Sequence, residues 1–497
     1  VCNAFLVGFA LFLSFQSVLS DEMPTGANIQ SGNVSITGTN TNHMIIDQST
    51  SKSIINWNSF SINNKGRVDF NMPSSNSSSL NRVTGSTPST IAGQLNSNGK
   101  VLLINPNGVV ITKQGVVKTG SFTASTLSIN NDDYLKNNFK FNGNGKSTGI
   151  SNSGKIIVGT GGHAALLGGH ISNSGVVSAK LGRIALGAGE KITLDFVGDG
   201  LMSVSVPSNQ LGIIKDINGR SLKSLISNTG ALKASGGLIK LSAATAKSLS
   251  RASVNIGTSG IIVAKTHGNK TGKVVIGSPT NNKIRIAGKI DVSGRKSISP
   301  SGTVIVQGRS VRHSGNIYAG GRSGGKVKII SKDALKLDGS IIAKGKKEDG
   351  GSVIFLSENM VESTKKAVVD VSGKIKGGTV RSLAKLKNIT SGTYKANSEA
   401  GYGGKVDITG KNVEISSADI SAQGKIQGGK VRIGGDYLGG KKLTSTDKIN
   451  VKGFVTRFGD QPSIQNAKQT IVKADTNIDV SSEKGKGGTT VVWSDDL

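Results

Sequence analysis

Cysteine is nearly missing from this chain of 497 residues, and the one copy, Cys2, precedes a long apolar run. Disulfide frameworks and cysteine-ligated zinc sites are therefore excluded. Proline (8 residues) and aromatic side chains (4%) are also scarce, so a thick globular core of large groups cannot be assembled. Long amphipathic helices fail as well, because glycine and β-branched residues interrupt every candidate window. Acidic residues number 30 against 61 basic ones, leaving a net charge of +31. Such an excess has two readings: lysines that guard exposed strand edges, or affinity for polyanions such as lipopolysaccharide, sulfated glycans or nucleic acid. The first is the default in a strand-rich chain, and no motif singles out a specific nucleic acid.

What the chain has in quantity is glycine, 69 residues, and after about residue 300 it is periodic. The phrase Gly-Gly-x-Val places its second glycine at Gly325, Gly351, Gly378, Gly404 and Gly429, with spacings of 26, 27, 26 and 25, and Gly488 follows 59 residues later. A period of this length signals a solenoid, and short alternating segments make it an all-β one. Within one period, Val327 to Ile330, Ala334 to Leu337 and Ser340 to Ala343 read as three short strands. Val327, Ile329, Leu335, Leu337 and Ile341 are the candidates for the inward face of one coil of a parallel β-helix. Leucine-rich repeats and propeller blades are excluded by spacing. Glycines are expected at sharp bends, some at positive φ. Asn152, Asn173 and Asn228, in SNSG, SNSG and SNTG, are expected to stack and share amide hydrogen bonds between coils. Coils of about 26 residues give roughly 18 turns and a rod on the order of 90 Å. No capping segment follows Trp493, so the stack is expected to continue past Leu497, with Trp493, Asp495 and Asp496 as a minimal cap in the rival reading.

The run Asn3 to Leu19 followed by a small-residue site reads as a secretory signal segment, 1–20, preferred over a membrane anchor because Gln16 interrupts a short span. Beyond it stand Ile55-Asn56-Trp57, Ser59-Phe60, Val68-Asp69-Phe70, Leu80-Asn81-Arg82-Val83-Thr84-Gly85, Ile104-Asn105-Pro106-Asn107-Gly108-Val109 and Ala124-Ser125-Thr126-Leu127. This succession resembles the amino-terminal secretion domain of filamentous-haemagglutinin-type exoproteins of two-partner secretion systems. The resemblance implies a secretion domain at 21–215, with extra strands or hairpins on a right-handed parallel β-helix, and a β-helical stalk at 216–497. It also implies export across the Gram-negative periplasm and outer membrane to the medium or cell surface, through a dedicated transporter whose periplasmic domains recognise the first module. Within it Asn105, Pro106, Asn107 and Gly108 match a motif tied to secretion. As residues they are first a turn, in which proline fixes φ and Asn107 and Gly108 tolerate the left-handed region. A second family motif, Asn-Pro-Asn-Leu, is replaced by the segment holding Asn81 and Arg82.

Catalytic chemistry finds little support. His43, His163, His170, His267 and His313 show no ligand spacing, and acidic pairs such as Asp132-Asp133 and Glu348-Asp349 sit in loops. GNGKS at 143–147 lacks the leading glycine of a phosphate loop. No cofactor is called for. The expected function is a non-enzymatic adhesin for host cells or surfaces, with Lys326, Lys405 and Lys430 stacked, Ser352 and Thr379 between them, as a cationic ladder for an anionic glycan. Toxin delivery, haem acquisition and a β-helical polysaccharide-degrading enzyme are the alternatives.

Overall fold

The computed structural model describes residues 22–145, 148–195, 201–205, 222–244, 253–277, 283–295, 298–436 and 464–496. The expected signal segment, the 215/216 boundary and residues 146–147 of the GNGKS segment lie outside these. Short strands stack into a right-handed parallel β-helix with three ladders. The first ladder, A, runs in parallel register from Lys52–Trp57 to Thr489–Val492. Ladder B runs from Ser89–Ile91 to Gln469–Val472, and ladder C from His43–Gln48 to Asn477–Asp479. At the front the ladders are closed by antiparallel strands. Asn28–Ser31 pairs with Lys52–Trp57, and Val34–Thr37 pairs with His43–Gln48.

Side chains alternate across the wall, so each strand buries one or two apolar groups between coils. Val327, Ile329, Leu335, Leu337 and Ile341 are all at most 1% exposed, on the inward face as the alternation predicts. Two of the three expected strands are joined, however, since Lys326–Leu337 runs as one strand from ladder A into ladder B, its pairing with the next coil breaking only between Ser331 and Ala334. Among the described residues fewer coils stack than total length predicts, because Asn131–Leu135, Lys140–Asn142, Lys191–Asp195 and Leu201–Ser205 lie outside the helix between ladder A strands.

The repeated glycines have a different cause from the one expected. Positive φ occurs at Gly108, Gly392 and several others, but not at Gly325, Gly351, Gly378, Gly404, Gly429 or Gly488. At these six positions an added Cβ would fall on the carbonyl of the glycine one coil earlier. That carbonyl accepts a ladder bond, as Gly378 O does from Lys405 N at 2.9 Å. The corner is therefore too close for any side chain.

Asn152, Asn173 and Asn228 stack as expected. Asn152 Nδ2 donates to Asn173 Oδ1 at 2.7 Å, and Asn173 Nδ2 donates to Asn228 Oδ1 at 2.7 Å. All three are fully buried. Further along the same inward column, His313 lies between Ile286 and Leu337 with neither ring nitrogen hydrogen-bonded. Burial pushes its pKa down to about 4, with Asp338 acting weakly in the other direction. Below the ordinary value of about 6.5 the unfolded chain binds a proton that the folded chain refuses. Stability at this site is thus lost as pH falls from about 6.5 to about 4, by about 3 kcal/mol in all. Urea midpoints followed against pH should show that slope shrink in His313→Leu, and an unchanged slope would contradict this assignment.

Candidate functional site

Ladder A strands of the first coils do not alternate; VLLI at 101–104 and AALL at 164–167 are apolar throughout. Strands buried on both faces read this way. Their outer face, including Ile54, Leu80, Leu102 and Leu167, packs under a second layer holding Leu127, Tyr134, Phe141, Ile192 and Met202. That layer is a helical turn, Asn131–Leu135, and an antiparallel sheet of Lys140–Asn142, Lys191–Asp195 and Leu201–Ser205. These are the extra strands that the resemblance implies.

Arg82 and Lys52 fasten the layer to the wall. Arg82 Nη2 donates to Ile129 O at 2.8 Å and Asn131 Oδ1 at 3.0 Å, before the helical turn. Lys52 Nζ donates to Leu135 O at 2.6 Å and Asn137 Oδ1 at 2.8 Å, after it. Desolvation, then Lys100, lowers the Lys52 pKa. Between the two clamps Tyr134 Oη bonds Ser78 Oγ at 2.7 Å, and burial pushes its phenol up to about 12. Asn81 faces the other way. It is fully buried, accepts from Trp57 Nε1 at 3.0 Å and donates to Leu102 O at 3.4 Å. Nothing in the sequence distinguishes Lys52 or Tyr134 as clamp residues, because their partners are backbone carbonyls 82 and 83 residues away, an asparagine 85 residues away or a serine 56 residues away.

The Asn-Pro-Asn-Gly segment closes a turn, with Gly108 N donating to Asn105 O at 3.1 Å. Gly108 has φ of 121°, a conformation glycine permits, while Asn107 does not adopt the left-handed region it tolerates. Pro106 and Asn107 at the two central positions, followed by glycine, fit a type I turn, which needs no positive φ at its centre. Asn107 instead acts through its side chain. Its Nδ2 donates to Gly85 O at 2.9 Å, and Asn105 Nδ2 donates to Thr87 O at 3.0 Å and Ser89 Oγ at 2.9 Å. The turn at 105–108 and the LNRVTG segment thus meet at one corner, where the asparagines hold the 85–89 loop. Thr87 on that loop lines a polar cleft of about 480 Å³ with Thr25, Asn42, Asn58 and Asn63.

The ladder lysines stand elsewhere. Lys326, Ser352, Thr379, Lys405 and Lys430 occupy one register position on successive ladder A strands. Lys430 Nζ bonds Asp436 Oδ1 at 3.0 Å, beside a half-buried network in which Arg432 Nε bonds the fully buried Asp407 at 2.7 Å. Lys326 also has a partner. The histidines are not brought together, and among the described residues no three metal-ligating side chains cluster.

Three comparisons bear on identity. The chain is 31% identical over 284 residues, 54% of its length, to a heme/hemopexin-binding protein of Haemophilus influenzae (strain ATCC 51907 / DSM 11121 / KW20 / Rd), of which this covers 29%. A second heme/hemopexin-binding protein of Haemophilus influenzae is 37% identical over 110 residues, 22% of this chain and 12% of that one. The chain therefore spans less than a third of these relatives. The crystal structure of the HMW1 secretion domain from Haemophilus influenzae superposes with a TM-score of 0.58 at 26% identity, covering 80% of this chain and 97% of that one. The TPS secretion domain family matches residues 21–276, just over half of the chain. With that match on a β-helix bearing an extra-helical layer, the chain belongs to the two-partner secretion exoproteins.

Proposed function

We propose that the corner built by Asn105, Asn107 and the 85–89 loop is presented to the periplasmic domains of an outer-membrane transporter, and that the remaining coils bind a host macromolecule. Members of this family leave Gram-negative bacteria through periplasm and outer membrane, and are secreted or surface-associated. The observation that carries the docking half is that two asparagine side chains hold a cleft-lining loop by its backbone carbonyls. Asn107→Ala removes one of these bonds on a half-buried residue and should cost the fold about 1 kcal/mol. Secretion of the variant, measured as protein in the medium, should fall about tenfold while its purified form still unfolds cooperatively. Wild-type secretion would refute the docking role.

For the stalk the reading is binding rather than catalysis. Long ladders of polar side chains suit attachment to an extended partner, an anionic glycan or a host surface. Replacing Lys326, Lys405 and Lys430 together by Gln should weaken binding to a heparin-like polymer several-fold, in proportion to the charges removed. Unchanged, salt-insensitive binding would eliminate the ladder. The second reading is capture of a haem-carrying host protein, favoured by the alignment over 54% of this chain with a heme/hemopexin-binding protein. Surface plasmon resonance against hemopexin, with and without haem, separates the two.

A further inference from the structure

The corner that leads from ladder C into ladder A carries loops of two alternating kinds. GKIKGG at 373–378 and GKIQGG at 424–429 fall on every second coil, and SEAGYGG at 398–404 and SEKGKGG at 482–488 fill the coils between and after. The loops are bonded to one another through their backbones: Ala400 N donates to Lys374 O at 2.8 Å, Ile426 N to Gly401 O at 2.9 Å and Lys484 N to Lys425 O at 2.9 Å. Ser398 and Ser482 repeat the same local bracing, each accepting from the glycine three residues on, Gly401 and Gly485.

The crest of this braced ridge is apolar and bare. Ile375 is 53% exposed, Tyr402 49% and Ile426 49%, on three successive coils, and Ile298 on an earlier loop of the same corner is 65% exposed. Lysines flank them within the loops: Lys374, Lys376, Lys425, Lys484 and Lys486, against Glu399 and Glu483. Folding does not require isoleucine here, since Ile375 and Ile426 belong to none of the buried clusters.

We infer that this crest is a docking surface for an anionic lipid bilayer, into whose headgroup layer Ile375, Tyr402 and Ile426 insert while the flanking lysines meet the phosphates. A protein partner is disfavoured by size. Three half-exposed side chains spaced about 5 Å apart offer on the order of 200 Å² of apolar contact, against roughly 800 Å² per partner in a stable interface. A fluid lipid surface needs no shape complementarity, and lysine stems spread into its interface while their ammonium groups stay wet. Tyrosine has the same preference for that boundary. The positive balance supplies the attraction to anionic headgroups, at short range.

Co-sedimentation of the purified chain with phosphatidylglycerol/phosphatidylcholine vesicles tests this without transporter or host protein. The chain should bind these vesicles and bind pure phosphatidylcholine at least tenfold more weakly. Ile375→Ser with Ile426→Ser should reduce binding to the anionic vesicles about tenfold with every lysine in place, and Lys374→Gln with Lys376→Gln and Lys425→Gln should do so with both isoleucines in place. All five substitutions are in loops, and an unaltered urea midpoint confirms folding. Absence of vesicle binding overturns the proposal. So does binding that responds to the lysines but not the isoleucines and is displaced by a soluble sulfated polymer, the behaviour of a simple polyanion site.

Discussion

Asn173→Ile should destabilise the secretion module by about 3 to 4 kcal/mol, whereas changing Asn152, Asn173 and Asn228 to Ile together should cost only about 1 to 2 kcal/mol. The single change strands Asn152 Nδ2 and Asn228 Oδ1, two fully buried groups that have no water to turn to. Each unsatisfied group costs about 1 to 3 kcal/mol. The triple change removes the stacked amide donors and acceptors together and strands only Gly154 N, which donates to Asn152 Oδ1 at 3.2 Å. It also extends an apolar column that already exists, because Ile111 precedes Asn152 in register, and Ile256 follows Asn228. Urea unfolding of the two variants decides the matter. If the triple variant is the less stable, the asparagines contribute more than mutual satisfaction, and hydrogen-bond strengthening along the stack would be the explanation to pursue.

Gly404→Val should cost about 3 to 5 kcal/mol at its junction, in the range of severe backbone strain. The new Cβ meets the Gly378 carbonyl and the Gly377 carbonyl carbon, neither of which can swing aside without releasing the bond from Lys405 N. Neighbouring coils are coupled only through their shared faces, so damage should be local, with proteolytic nicking between about residues 378 and 430. Gly487 provides the control. It belongs to the same repeated pair as Gly488, yet an added Cβ there has nothing within 4 Å, and its φ is not positive. Gly487→Ala should therefore change stability by less than about 0.5 kcal/mol. Equal losses in both variants would show that glycine is kept for chain entropy rather than close approach.

These examples show what was legible beforehand. The inward positions follow from two-residue alternation, and the coil length from glycine spacing, because both are local and repeated. The asparagine stack was readable for the same reason, being one tetrapeptide written three times. The clamps of Arg82 and Lys52 were not, since each binds carbonyls on a segment that leaves the helix and returns, and any residue has a carbonyl. The reason for Gly404 was equally hidden: a sequence shows that a side chain is missing, not which atom stands in its place. The turn at Asn107 is readable from its tetrapeptide, but the bond from its side chain to Gly85 O is not, because that partner is on another coil.

The three ladders also decide how such a rod bears load. Tension along its axis pulls on every interstrand bond of a junction at once, so resistance is shared among three walls, and no single bond fails alone. Force applied sideways at one corner opens the same junction bond by bond. A stack of this build is therefore strong when stretched along its axis and weak when peeled.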